Sequence, residues 1–226
     1  MTLFDLAPFV GLGAVTGLDV VSFPQAMISR PIVAATLAGA LAGDAQRGLL
    51  IGAVLEMVAL GTLPFGASRY PEWGSASVVG GALYGSGDVA ATGQLALAVL
   101  AALLAAWLSG ESMVVARTLN AREVRVARPA LETGRRDVVR ALQLRGIALD
   151  LVRGALVTAC ALVVLTPAYL ALTSLWSGSP GPERAVLAGF TAALGAATVW
   201  MLVRGTSGAR VFLAVGAVVG LAVVLL

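Results

Sequence analysis

Three carboxylates lie within or beside the apolar segments of this chain, where ionised groups are rare. Glu56 stands near the middle of the apolar run 48–63, Asp19 lies near the end of the first run, and Asp44 precedes the letters AQRG. A charged side chain at the centre of a membrane helix costs roughly 2.5 kcal/mol or more on insertion scales. Such residues usually face a cavity or an ionic partner. Glu56 is therefore a candidate for contact with a polar solute, and a structural hydrogen bond to a neighbouring helix or to Arg30 is the alternative.

The other polar candidates have competing structural explanations. Gln25, in SFPQAMISRP, offers a donor and an acceptor to a hydroxylated solute, or it caps the helix that is expected to start near Arg30. Asp44 is predicted to have a turn or cap role, because it follows Gly43. For Asp19 a functional and a structural role are equally open.

Composition indicates that these residues belong to a polytopic membrane protein. The 226 residues are 59% hydrophobic and 12% charged, with a mean hydropathy of +0.94, whereas soluble domains carry about 25% charged residues. We expect a single membrane domain. The net charge of +3 is modest and indicates no nucleic-acid partner, and the chain has no histidine for acid–base, metal or phosphoryl chemistry. No cofactor, metal site or catalytic residue is predicted.

Segment lengths predict how the chain enters the membrane. The apolar run 31–43 has 13 residues, which reach only about 20 Å as a helix, against a hydrocarbon core of about 30 Å. Backbone that stops inside a membrane must be buried in protein or face water. We therefore predict an all-α fold with short re-entrant or discontinuous helices in the first third and full spans in the second half. The alternative is a tilted helix pair with its turn, GDAQRG, at the interface.

An arginine-rich stretch divides the chain into two membrane halves, 1–116 and 147–226. Between Arg117 and Arg145 the chain has eight arginines and three acids, so the positive-inside rule predicts a cytoplasmic location for 117–146. Apolar residues among the arginines suggest an amphipathic helix on the membrane surface. Topology with lipid-headgroup contact, or docking of a cytoplasmic partner, would each explain this stretch.

The region from Arg30 to Glu72 has a distinctive order of small, acidic and proline residues: Arg30-Pro31, Gly39, Gly43-Asp44, Gly48, Gly52, Leu55-Glu56, Leu60-Gly61, Gly66-Ala67 and Pro71-Glu72. With these features the region resembles the first half of the IIC membrane subunit of mannose/fructose/sorbose-type phosphotransferase-system permeases. The order and spacing of small, acidic and proline residues match over about 45 positions, and weaker similarity, in VVARTLN and WMLVRG, extends over nearly the whole chain. The family usually has small apolar residues where this chain has Arg69-Tyr70, and its pattern around Gln25 is more polar, so the sugar stays open.

The resemblance implies a sugar-translocating IIC component in a bacterial cytoplasmic (inner) membrane. Such a subunit pairs with a IID membrane subunit in a hetero-oligomer, while IIA and IIB components relay phosphate from phosphoenolpyruvate, through the HPr carrier, to a hexose-type sugar. The family's phosphohistidines lie on those soluble components, which is compatible with a chain that lacks histidine. The resemblance implies that the candidate substrate-binding residues are Gln25, Glu56, Gly66, Ala67 and Ser68, and that Arg30 has a structural or gating role. From their own positions in the sequence, Asp19 and Asp44 are also assigned to the structural or gating group.

Two functions from other classes compete with this one. In a non-transporting membrane scaffold, the acids would join helices and the arginine-rich stretch would bind a partner. In an ion-coupled secondary transporter, Glu56 would carry a proton.

Overall fold

The computed structural model describes residues 3–62, 69–87, 93–176, 192, 195–197, 199–200, 203 and 205–225. Among these described residues, every regular element is a helix, which confirms the all-α prediction. The segment predicted at 185–203 falls largely outside the described residues. The seven helices whose two ends lie among the described residues are α1 (Leu3–Asp19), α2 (Pro31–Ala42), α3 (Ala45–Ala59), α4 (Trp73–Gly85), α5 (Gly93–Glu132), α6 (Arg136–Trp176) and α7 (Ala209–Leu225).

The short helices α2 and α3 begin and end at residues that specify helix ends. Pro31 occupies the first turn of α2, where a missing N–H costs nothing. Gly43 ends that helix with φ of 101°, a left-handed conformation that glycine adopts without a steric penalty. Asp44 caps α3 by accepting a hydrogen bond from the Arg47 N–H at 3.0 Å. The 12 residues of α2 extend only about 18 Å, less than the hydrocarbon thickness.

Helix α4 lies at the centre of the described core. Twelve of its 13 residues are buried, and it contacts α1, α2, α3, α5 and α6. Its glycines allow this close packing: a Cβ on Gly81 would lie 2.9 Å from the Ala35 Cα of α2. Close backbone approach of this kind is how membrane helices gain packing energy where lipid gives no hydrophobic drive.

Helices α5 and α6 are the two described helices that are long and apolar enough to cross a membrane. They have 40 and 41 residues, so each extends about 60 Å, twice the hydrocarbon thickness. The excess forms a helical hairpin, residues 117–149, whose turn contains Gly134 with φ of 73°. We call these residues the arginine hairpin.

The location of the amphipathic helical stretch 117–146 on the membrane surface stays a prediction. The stretch is helical, but it continues α5 and α6 without a break at the membrane end. Helical geometry continues because no glycine and no proline interrupts positions 111–128. An Arg145–Glu123 ion pair at 3.2 Å joins the two arms.

Candidate functional site

A cavity of about 300 Å³ lies where the loop between α1 and α2 meets the segment that precedes α4. This volume is at the lower end of the range for small-molecule sites and suits a ligand the size of a monosaccharide. The cavity wall combines acidic, amide, guanidinium and aromatic groups. The described residues that line it are Asp19, Val20, Gln25, Met27, Ser29, Arg30, Pro31, Ala59, Thr62, Tyr70, Pro71 and Trp73.

Asp19 shapes the first wall of the cavity by holding the loop 20–30. Its carboxylate is 2% exposed and accepts hydrogen bonds from the Ala26 N–H at 2.6 Å and the Ser29 N–H at 2.9 Å. The Ser29 hydroxyl donates a third bond at 2.8 Å. Buried carboxylates need such partners, so most of the hydrogen-bonding capacity of Asp19 is used in folding the loop.

Gln25 and Met27 line the cavity from unusual backbone conformations. Their φ angles are 57° and 63°, in the left-handed region that residues other than glycine rarely adopt. Such conformations persist only where surrounding contacts enforce them, and they cluster at ligand sites. The Gln25 side-chain amide donates to the Val21 carbonyl at 3.3 Å.

Arg30 and Glu56 form an ion pair at the edge of the cavity. The Arg30 guanidinium, which lines the cavity, donates to Glu56 Oε1, and the Ile32 N–H donates to Oε2 at 3.3 Å. The Glu56 side chain is 16% exposed and that of Arg30 is 38% exposed. Glu56 therefore caps the first turn of α2 from α3, and it holds the guanidinium that faces the cavity.

Aromatic residues form the wall opposite the loop. The Trp73 indole N–H donates to the Thr62 hydroxyl at 3.0 Å, which fixes the ring plane. The Tyr70 hydroxyl accepts from Arg117 at 2.7 Å, and the guanidinium lies 5.0 Å from the ring centroid. Arg117 belongs to the arginine hairpin, so the cavity and the hairpin lie on the same side of the protein.

The other predicted site residues lie elsewhere. Asp44 is at the turn between α2 and α3, where it caps α3. Gly66, Ala67 and Ser68 fall outside the described residues. The structure thus brings Asp19, Gln25 and Arg30 together at the cavity, with Glu56 behind Arg30.

Sequence reasoning missed two buried charges in α6 and one before α4. Asp150, Arg153 and Glu72 are 4%, 6% and 0% exposed. The first two interrupt the apolar segment 146–176 at a spacing of three residues, which places them on the same face of a helix. That spacing was the available signal, because charges inside a membrane helix normally pair with each other or line a cavity.

Comparison with known proteins identifies related chains. The family model described as "PTS system sorbose-specific iic component" matches residues 7–226. The mannose-specific EIIC component of the phosphotransferase system of Escherichia coli K12 is 29% identical over 154 residues, covering 68% of this chain and 54% of that protein. The sorbose-specific EIIC component of Klebsiella pneumoniae is 32% identical over 104 residues, covering 45% and 36% of the two chains. The chain thus spans about half of the length of the mannose-specific relative and about a third of the length of the sorbose-specific relative.

Solved structures share the fold at low sequence identity. A chain described as "Structure of membrane protein" superposes with a TM-score of 0.69 at 22% identity, covering 97% of this chain and 87% of that one. A chain from the "CryoEM Structure of Mannose Transporter ManYZ and Microcin E492 (MceA) complex" superposes with a TM-score of 0.63 at 19% identity, with the same coverage. These similarities show the fold.

Proposed function

Because the chain belongs to the family of sorbose-specific IIC components of the phosphotransferase system, within its mannose/sorbose group, we propose that it forms the sugar pathway of a hexose permease. The single observation that carries this proposal is the cavity of about 300 Å³ bounded by the loop 20–30 and Trp73. A sugar offers hydroxyl groups at its edge and C–H groups on its faces. The cavity offers polar groups on one wall and an indole on the other.

The cavity residues have complementary roles in sugar binding. The Arg30 guanidinium donates to sugar hydroxyls, and the Gln25 amide offers a donor and an acceptor. Trp73 supplies a rigid apolar surface for a ring face. Glu56 acts through Arg30, whose position it sets. Gly66, Ala67 and Ser68 remain proposed contributors from the segment between α3 and α4.

A IID-type membrane subunit completes the pathway, in a hetero-oligomer within the bacterial cytoplasmic membrane. The structural neighbour from the mannose transporter ManYZ supports a shared pathway of this kind. Apolar side chains on the outer faces of α5 and α6 are exposed, including Leu100, Trp107 and Val164, which are 56%, 59% and 67% exposed. Surfaces of this composition are stable only against lipid or a partner subunit.

The phosphoryl group comes from soluble IIA and IIB components, which act on the cytoplasmic side. The positive-inside rule places the arginine hairpin on that side, and the Tyr70–Arg117 hydrogen bond links the cavity wall to the hairpin. A sugar released from the cavity therefore emerges next to a surface on which the phosphoryl donor can dock.

Phosphorylation of sugar by reconstituted membranes tests the proposal. Vesicles with this chain and its IID-type subunit, supplied with the soluble components and phosphoenolpyruvate, are expected to convert a labelled hexose to its phosphate. Omission of phosphoenolpyruvate should stop the reaction, and Trp73→Ala should lower sugar affinity about tenfold, with Trp107→Phe as a control. Uptake of unmodified sugar driven by a proton gradient would support the ion-coupled alternative. Absence of any sugar turnover would support the scaffold.

A further inference from the structure

Arg153 is a buried cation at the junction of four helices, and the proposed sugar contacts do not use it. Its guanidinium donates to the Gly17 carbonyl of α1 at 2.9 Å and to the Ser109 hydroxyl of α5 at 3.4 Å. A cation in this environment is expensive unless it is fully paired. Two acidic neighbours lie close enough to offset its charge.

The two neighbours are Glu72 and Asp150, and neither carboxylate lies within hydrogen-bonding distance of the Arg153 guanidinium. Arg153 Nη1 lies 3.8 Å from Glu72 Oε2, and Arg153 Nε lies 3.7 Å from Asp150 Oδ1. Charge-assisted hydrogen bonds between these groups normally measure about 2.7–2.9 Å. The buried Nε atom has no hydrogen-bond acceptor among the described residues. One guanidinium thus lies between two carboxylates at nearly equal distances, and it faces them with different nitrogens.

Glu72 connects this guanidinium to the aromatic wall of the cavity. Its carboxylate caps α4 by accepting from the Ser75 N–H at 3.1 Å, and its own N–H donates to the Ala106 carbonyl at 3.0 Å. Pro71 and Trp73, its neighbours in sequence, both line the cavity. The backbone of Glu72 is therefore continuous with the backbone that carries the indole.

Asp150 connects the same guanidinium to the opposite wall. Its carboxylate accepts a hydrogen bond from the hydroxyl of Ser22, which belongs to the loop that carries Gln25 and Met27. Ser22 also borders a second pocket, of about 460 Å³, at the base of the arginine hairpin. The loop keeps its separate anchor at Asp19, so the Asp150 contact adjusts a loop that is already folded.

Glycines bring α1 and α6 close enough for this arrangement. A Cβ on Gly154 would lie 2.5 Å from the Gly13 carbonyl oxygen, and a Cβ on Gly17 would lie 2.9 Å from the Gly154 Cα. This approach lets Arg153 reach the Gly17 carbonyl.

We propose that Arg153 is a positioning residue that shifts between Glu72 and Asp150 and thereby sets the spacing of the two cavity walls during sugar translocation. When the Arg153 guanidinium contacts Glu72, the cavity wall that contains the indole is held in place for sugar binding. When the guanidinium contacts Asp150 instead, that wall is released and the loop 20–30 is stabilised. This inference rests on the proposed sugar function, since it assigns a role in the same cavity.

Isosteric neutralisation of each carboxylate separates this role from a purely structural one. Asp150→Asn should leave Arg153 on Glu72, keeping sugar affinity near the wild-type value while lowering turnover about tenfold, the usual scale for an interaction needed only in one step. Glu72→Gln should leave Arg153 on Asp150 and weaken sugar affinity about tenfold. Parallel changes in affinity and turnover for both variants, or no change in either, would overturn the proposal.

An assay that requires no sugar distinguishes failure of this inference from failure of the proposed function. A cysteine at Val20, which lines the cavity, is labelled with a thiol reagent in a Cys160→Ser background. Arg153→Met should raise the labelling rate about fivefold because both walls lose their common anchor, and Arg153→Lys should restore part of the protection. If Arg153→Met leaves the labelling rate of the cysteine at position 20 unchanged, the inference is overturned even if the wild-type protein transports sugar. A raised rate in a protein that binds no hexose would leave the network intact and remove the sugar function.

Discussion

At the residue scale, two carboxylates hold the two ends of the polypeptide that forms the first cavity wall. Asp19 accepts three hydrogen bonds from Ala26 and Ser29. Glu56 accepts from the Arg30 guanidinium and from the Ile32 N–H. Glu56 therefore acts on the cavity through other residues, and the carboxylate of Asp19, which itself lines the cavity, is used mainly in folding the loop.

Glu56→Gln is expected to reduce sugar uptake at least about tenfold while the protein still inserts and purifies. The amide retains a hydrogen-bond acceptor for the Ile32 N–H, but the loss of charge frees Arg30 and weakens the helix-end interaction by about 1 kcal/mol. Labelled-sugar uptake and thermal melting in detergent measure the two effects. Glu111→Gln is the matched control, because Glu111 pairs with Arg69 at 3.4 Å on the exposed surface, where such pairs contribute at most about 1 kcal/mol. Wild-type uptake by Glu56→Gln would remove Glu56 from the site.

The polar residues of the site differ in how far sequence could predict them. Gln25, Arg30 and Asp19 could be selected because polar groups in apolar segments are rare. The Glu56–Arg30 contact was one of two alternatives, and sequence offered no way to choose between them. Arg153 could not be connected to the site because its partner Gly17 is 136 positions away, and pairing at that distance depends on which helices pack together.

At the element scale, small residues decide which short helices can pack around α4. The α2–α3 pair meets at Gly39 and Gly48, where a Cβ on Gly39 would lie 2.5 Å from the Gly48 Cα. The ends of these helices followed from Pro31, Gly43 and Asp44, because each has a local physical preference. The path of the arginine-rich stretch could not be predicted from local preferences, because the same amphipathic pattern suits a helix that lies on lipid and a helix that packs in a hairpin.

Gly39→Ala should destabilise the protein by about 2 kcal/mol or more, the usual cost of overpacking a close contact. The added methyl group meets backbone atoms of α3, which cannot move aside as a flexible side chain would. Thermal melting in detergent and the yield of monodisperse protein measure the effect. Gly11→Ala is the matched control: a Cβ at Gly11 meets nothing within 4 Å, so alanine should be neutral or stabilising by about 0.5–1 kcal/mol. Equal melting temperatures for the two variants would contradict this account of the α2–α3 contact.

At the scale of the whole molecule, the length of the arginine hairpin predicts contact with more than lipid headgroups. Ala116 is the last buried residue of α5, and the 16 residues from there to Glu132 extend about 24 Å. The polar headgroup layer occupies only about 5–8 Å on each side of the hydrocarbon core. We therefore expect the outer arginines to reach past the headgroups into water, where an acidic protein surface is the partner that we propose for them.

Reversal of charge at the outer part of the hairpin tests that assignment. Arg136 and Arg140 are exposed, and their replacement by glutamate leaves six arginines against five acids between Arg117 and Arg145, instead of eight against three. Arg136→Glu/Arg140→Glu should weaken binding of the soluble phosphoryl donor to the membrane complex about tenfold or more and flatten its salt dependence. Sugar binding should stay unchanged, because neither residue lines the cavity.

The control for this charge reversal keeps the positive charge and replaces each guanidinium with an ammonium group. Arg136→Lys/Arg140→Lys should bind the donor component within about threefold of the wild-type protein, because long-range attraction depends on charge more than on guanidinium geometry. Co-sedimentation of the donor component with vesicles, measured at several salt concentrations and repeated with neutral lipids, distinguishes protein docking from lipid contact. If the glutamate variant loses donor binding only in vesicles with anionic lipids, the arginines act through the membrane surface and the docking assignment fails. If binding falls equally in neutral vesicles, the hairpin itself is the docking surface, and phosphoryl transfer is limited by an encounter that the charge of the hairpin accelerates.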